Sequence, residues 1–259
     1  MSPAPARPHS GVEILSSRLL DGFPHGFSTR SGGVSPAPWD SLNLGGAVGD
    51  EPSRVAENWS RLEVATGLRF ARVRQVHGAR VVTAAAPCGP GDEADAVVSR
   101  TAGVAACIAV ADCVPVLIAD PASGAVAAVH AGWRGTVARA AVAAVEALAT
   151  QGGSRPSDLL AAIGPSIGPC CYEVSPELAD RFEAAFGPGV VDRRRSAPRL
   201  DLWEANARAL SAAGILPDRI DRLQRCTSCE RPLFFSHRRD GGATGRQVAW
   251  IAPRSGSGG

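Results

Sequence analysis

The chain has 259 residues, 45% of them apolar, and a formal net charge of +2. That admits one sizeable domain with an ordinary core and argues against a surface built to hold a phosphate backbone. All 27 basic residues are arginine, which excludes Schiff-base and P-loop lysine chemistry.

Residues 1–10 are Pro-rich and polar and are expected to form a loose arm, with a single domain over 11–253 and a disordered Gly/Ser tail over 254–259. Val12 to Leu15 reads as a first strand. Phe23 to Gly46 reads as a long loop rich in Gly, Pro and Ser, a length that usually carries function. Asp50 to Leu68 reads as a helix capped by Asp50, with Pro52 in its first turn and an apolar stripe of Val55, Trp59, Leu62 and Ala65. Strands are expected over Arg72–Val76, Arg80–Thr83, Ala94–Ser99, Val104–Val110, Val114–Ala119 and Gly124–Val129. A helix is then expected over Thr136–Thr150, a strand over Leu159–Ile163, and helices over Pro176–Phe186 and Leu202–Ala213, the last capped by Asp201. Strands over Ile220–Leu223, Leu233–Phe235 and Gln247–Ile251 complete the pattern. Many strands, direct hairpins and a few helices make this a mixed α/β protein with no purely parallel sheet. No apolar run has signal-peptide or membrane-span length, so a cytoplasmic protein with seven reduced cysteines is expected.

The chemistry centres on Ala106 to Thr136. With Asp120 to Ser123 as a four-residue hairpin loop, Ala119 opposes Gly124 and Cys113 opposes His130. Opposed residues share a face with Cβ atoms about 5 Å apart, so thiol and imidazole become neighbours. A catalytic zinc site takes three protein ligands and keeps one position open. Among the five histidines, His77, at a turn after a strand, is the choice for third ligand; hydrogen-bonded or packed core groups are the alternative. Pro115 marks an edge or irregularity at Cys113.

Anion binding has several candidates. The strand-to-helix junction after His130 carries Arg134, and the Ser28–Gly33 segment carries Arg30; free backbone N–H groups and guanidinium suit phosphate at both. His237 and Arg238 follow the apolar Leu233–Phe235 run, and Asp112 or His237 is a candidate proton shuttle. Cys226–Cys229 has metal or redox spacing, but no second CxxC accompanies it. Cys170 and Cys171 are adjacent. Both pairs are expected to be structural.

The segments GFSTRSGGVS, SLNLG (with Asn43), RQVHG, ADCVP, VHAGWRGT, GPSIGPCCYEV, DLWEAN, CTSC and FFSHRRDGGATGR occur in order between Gly26 and Arg246. In this they resemble the YfiH-like family, called multicopper polyphenol oxidases or laccase-domain proteins. Its members are described as zinc-dependent purine nucleoside phosphorylases with adenosine deaminase activity. The resemblance implies an α-β-β-α fold of four layers and Zn2+ held by His77, Cys113 and His130. The expected substrates are a purine nucleoside and phosphate, with no nucleic acid or membrane partner; Arg30, Asn43, Arg134, His237 and Arg238 are candidate substrate contacts. Five histidines cannot furnish a blue-copper centre and a copper cluster as well, so polyphenol oxidation is not expected and copper enters only as an adventitious occupant. The zinc deaminase signature is absent from the sequence. The rival expectation is a metal-free hydrolase with Cys113 as nucleophile and His130 as base. The fold type hosts such a pair in a deamidating toxin, and the family has been linked with peptidoglycan precursors.

Overall fold

A computed structural model describes residues 11–254; the expected arm and all of the expected tail except Arg254 lie outside them. In chain order the strands and helices begin with β1 (Ile14–Leu15), β2 (His25–Ser28), α1 (Pro52–Thr66), β3 (Arg69–Ala71), β4 (Val81–Ala84) and β5 (Ala96–Ser99). The central group is β6 (Val104–Val110), β7 (Val114–Ala119), β8 (Val126–Ala131), α2 (Trp133–Val137), α3 (Ala140–Gly152) and β9 (Leu160–Ile163). The remainder is α4 (Pro176–Phe186), β10 (Val191–Asp192), β11 (Arg199–Leu200), α5 (Leu202–Ala212), β12 (Ile220–Arg222) and β13 (Gln247–Ile251).

A five-stranded sheet has the order β1-β2-β13-β6-β3 and a six-stranded sheet the order β12-β9-β7-β8-β5-β4. Among the strand pairs of the described residues, only β12/β9, β3/β6 and β4/β5 are parallel. The fold is thus mixed α/β and mostly antiparallel, as the hairpins imply. Strand alternation sorts the side chains into cores. On β7, Leu117 and Ala119 enter a cluster shared with Ile108 of β6 and Ile251 of β13. Val114, Val116 and Ile118 point the other way, toward Ala144 and Leu148 of α3 and Leu210 of α5. The outer face of the five-stranded sheet, with Cys107 and Trp250, packs on Val55, Trp59 and Leu62 of α1. This succession of cores supports the layered expectation.

Several expected elements take a different form. β2 lies inside the segment read as loop, paired with β1 and β13. Helix α1 starts after Glu51 without a side-chain cap; the Asp50 carboxylate instead accepts from Ser35 Oγ at 2.6 Å and Asn43 Nδ2 at 2.8 Å. Its stripe ends at Leu62, because Ala65 is exposed. The helix expected over Thr136–Thr150 is two helices, interrupted where Arg139 takes φ +63°.

Two expected strands are replaced by the same device, a glutamine side chain that pairs with a backbone as a neighbouring strand would. Over Arg72–Val76, Gln75 Nε2 donates to Ala109 O and its Oε1 accepts from Ala109 N, both at 2.8 Å. At Leu233–Phe235, a turn closed on Glu230 O, Gln247 accepts from Phe235 N at 2.9 Å and donates to Phe235 O at 3.2 Å.

Candidate metal centre

The β7–β8 hairpin is built two residues out of the expected register. Pro115 opposes His130, and Ala119 opposes Val126. The loop extends to Ala125, whose carbonyl accepts from Asp120 N at 2.8 Å. The Asp120 carboxylate lengthens it by accepting from Ala122 N at 2.8 Å and Ser123 Oγ at 2.6 Å, and Gly124 takes φ +75°. A slip of two residues preserves the faces, so His130 still points to the side of Ala128 and Val126, between the sheets. Pro115 lies one residue inside β7, a central strand between β9 and β8, and marks a strand end rather than an edge. Just before it, Asp112 at φ +86° turns the chain and presents Cys113.

His77, Cys113 and His130 come together with their ligand atoms within 4.8 Å of one another; His77 is exposed, Cys113 half-buried and His130 buried. The two imidazoles meet edge to face with ring centroids 4.8 Å apart. Close approach to the thiol requires glycine next to His130's strand: a Cβ on Gly132 would fall 2.6 Å from Cys113 Sγ.

Asp95, fully buried just before β5, links two of the candidate ligands. One of its carboxylate oxygens lies 2.8 Å from His130 Nδ1, which directs Nε2 toward the centre. The same carboxylate accepts from the backbone N–H of His77 at 2.9 Å and Gly78 at 2.6 Å, shaping the turn in which His77 takes φ +61°. The Asp95 carbonyl also accepts from His130 N at 2.7 Å. Burial opposes its charge, yet the hydrogen bonds from His130 and Gly78 hold its pKa below the ordinary carboxylate value. Burial likewise opposes charge on Cys113 and His130. Their mutual attraction prevails, lowering the thiol to about 6, while the Cys113 thiolate and Asp95 raise the imidazole to about 9. Without a metal, both shifts favour a thiolate beside an imidazolium.

The other expected residues fall in different places. Arg30 is committed within its own loop: Nη2 lies 3.0 Å from Asp40 Oδ1, and the guanidinium stacks 4.7 Å from the Phe235 ring. It lines an open cleft of about 390 Å³ together with Asp40 and Arg231, and none of the three ligands lines that cleft. Asn43 is fully buried and anchors a loop, bonding Asp50 Oδ2, Gly45 and Arg246 N. Arg134 is exposed over Trp133, 4.4 Å from its ring. His237 is exposed, 3.3 Å from the site a Cβ on Gly242 would take. Arg238 joins the centre through its backbone, donating to Asp112 Oδ2 at 2.6 Å, and its guanidinium lies 5.0 Å from the Tyr172 ring. Asp112 accepts a second bond from Thr227 Oγ1 at 2.6 Å, so its carboxylate is engaged in fastening loops.

Three contributors escape the sequence reading. Asp95 lies inside the segment expected as a strand, Ala94–Ser99, with no motif to mark it. Tyr172 is half-buried, its phenol pushed up to about 12 by burial and then by the Cys113 charge. Arg246 is desolvated, which lowers its pKa, while the charges at Cys113 and Asp112 favour its cation. Only tertiary contact reveals these.

A family model described as multi-copper polyphenol oxidoreductase laccase matches residues 24–254. A purine nucleoside phosphorylase of Deinococcus radiodurans is 44% identical over 93% of this chain and 93% of its own length. Another of that name, from Streptomyces coelicolor, is 40% identical over 90% of this chain and 96% of its own. The crystal structure of YlmD from Geobacillus stearothermophilus superposes with a TM-score of 0.87 at 37% identity, covering 95% of this chain and 97% of that one. The resemblance read from the ordered motifs therefore holds: this chain belongs to the multi-copper polyphenol oxidoreductase laccase family.

Proposed function

We propose that the chain is a zinc-dependent purine nucleoside phosphorylase working in the cytoplasm. The observation that carries this reading is the convergence of His77, Cys113 and His130 with Asp95 on the far nitrogen of His130. One thiolate and two imidazoles suit Zn2+, and three protein ligands match a catalytic rather than a purely structural site. The names of the relatives favour the same activity. The copper in the family's name finds little support in the donor set: among the described residues, the other cluster of potential ligands contains no histidine.

Bound Zn2+ supplies Lewis-acid polarisation and a lowered pKa for coordinated water. The chain's own residues bind and orient. Arg134, which makes no ion pair among the described residues, and Arg238 gather positive charge around Tyr172, Arg246 adds its own near Cys113, and together they attract phosphate. An oxygen of hydrogen phosphate bonds to the anomeric carbon as the carbon–nitrogen bond to the purine breaks, and the leaving base takes up the proton that the phosphate gives up. Tyr172 offers an aromatic face for the base. Adenosine deamination is a second activity of the same centre.

The rival hydrolase also has a specific observation in its favour. Cys113, His130 and Asp95 form a nucleophile–base–orienter series, with the thiol lowered to about 6. The test is to assay zinc-loaded and chelator-stripped protein on inosine and adenosine with and without phosphate. Phosphate-dependent release of hypoxanthine that disappears on stripping supports the phosphorylase. Undiminished turnover by stripped protein overturns it and selects the hydrolase.

A further inference from the structure

A second group of potential ligands lies apart from the His77 centre: the sulfurs of Cys170, Cys171, Cys226 and Cys229 all lie within 4.8 Å of one another. The CxxC without a second CxxC is completed by an adjacent cysteine pair 55 residues upstream of Cys226, against the expectation that each pair is merely structural. Two tight turns bring them together. Cys171 N and Tyr172 N donate to Gly168 O at 2.9 and 3.0 Å, while Glu230 N donates to Cys226 O at 3.0 Å. The turns are joined where Thr227 N donates to Ser166 O at 3.0 Å and Gly168 N donates to Cys226 Sγ at 3.3 Å.

We propose that these four thiolates hold a structural Zn2+ ion. Zinc–sulfur bonds of about 2.3 Å in a tetrahedron place sulfurs about 3.8 Å apart. Here Cys229 Sγ lies 3.5 Å from Cys170 Sγ and 3.3 Å from Cys171 Sγ, so modest expansion around an ion meets that requirement. Apolar packing does not explain the cluster, because Cys170 and Cys229 are exposed. The Gly168 N–H aimed at Cys226 Sγ suits a thiolate, which accepts hydrogen bonds, better than a thiol. Four sulfur donors leave no protein position for histidine or carboxylate, and they fill a tetrahedron, so the ion has no open site for substrate. Binding displaces the thiol protons to solvent.

The ion would clamp the walls of the other centre. Thr227, inside the CxxC turn, donates to Asp112 Oδ1 at 2.6 Å, next to Cys113. Ile167, on the other turn, donates to Asp112 O at 3.0 Å. Tyr172 directly follows Cys171, and Glu173 O accepts from Arg238 Nη1 at 2.8 Å. This inference does not rest on the phosphorylase reading, since a metal count is independent of turnover.

The test uses the full chain purified anaerobically, with zinc and iron counted by mass spectrometry. Two zinc equivalents per chain are expected, one for each cluster. The double variant His77→Ala/His130→Ala removes the first set and should retain one equivalent. Loaded with Co2+, it should show the charge-transfer and visible bands of tetrahedral cobalt tetrathiolate. Cys170→Ser/Cys229→Ser should lose that chromophore and keep the other metal. Should that variant fold poorly, mercurial titration of the wild-type protein with a metallochromic indicator should release both equivalents. A histidine double variant without stoichiometric metal, iron in place of zinc, or a disulfide among the four cysteines under native anaerobic alkylation would overturn the proposal.

Discussion

The two clusters of ligand side chains are assembled by opposite means. His77, Cys113 and His130 come from a turn, a strand start and a strand end, and a buried carboxylate orients the set. Cys170, Cys171, Cys226 and Cys229 come from two adjoining turns and converge with no carboxylate partner bonded to their sulfurs among the described residues. The mixed set has three candidate ligands and so leaves a tetrahedral position open, which suits a centre that meets a substrate. The all-sulfur set spans two loops, which suits a fastening. A cluster's chemistry is therefore read from what stands behind its ligands as well as from the ligands themselves.

The sharpest break in the comparison is His130→Ala. It should abolish phosphorolysis and remove one metal equivalent while leaving the cobalt tetrathiolate spectrum unchanged. Loss of both metals together would mean the clusters are not independent.

The next largest effect is protonic and belongs to the metal-free protein. Cys113 is lowered from 9.0 to about 6, which at pH near 6 raises its thiolate fraction about 500-fold over an unperturbed thiol. Because the charged form is the stabilised one, alkylation at Cys113, followed by peptide mass spectrometry, should accelerate as pH rises through about 6 and level off above it. A rise only near pH 9 would remove the thiolate–imidazolium pair.

Asp95→Asn keeps the shape and removes the charge behind His130. A loss of about 10- to 100-fold in metal affinity is expected at this centre, measured by chelator competition, with none at the thiol cluster. Cys226→Ser should act in the reverse sense. It should lower Tm by about 5 °C or more, on the scale of 2–4 °C per kcal/mol for a chain of this size, and retain metal at His77. The smallest effect is expected from Arg134→Ala. Its guanidinium is exposed, so a roughly two- to fivefold rise in KM for phosphate with unchanged Tm is expected, as for other screened surface charges.

Much of the framework was legible because local signals agreed with tertiary demand. Strands over Val104–Val110 and Gln247–Ile251 and the helix over Pro176–Phe186 have the expected bounds. The Asp201 cap accepts from Glu204 N at 2.9 Å as its position before an amphipathic helix implies. The hairpin register was missed because Asp120 recruits Ser123 and lengthens the loop, an interaction not specified by turn-forming composition alone. Even so, Cys113 and His130 share a face although they are not opposed, since a slip of two residues conserves the face. Gln75 and Gln247 hid two departures from strand geometry, because a side-chain amide that imitates a ladder leaves no periodic trace. The tetrathiolate was illegible for a simpler reason: a local spacing rule cannot see a partner pair delivered by another turn.

Asp95 ties the two histidines to one residue. Its carboxylate contacts the ring of one ligand and the backbone of another, while its carbonyl holds the strand of the first. Displacement of the sheet at this end would thus carry His77 and His130 together, and the gap between them would change less than either position does. The single residue works as a spacing gauge. Small strains arriving from distant substitutions would be filtered out before they reach the distance that metal coordination depends on.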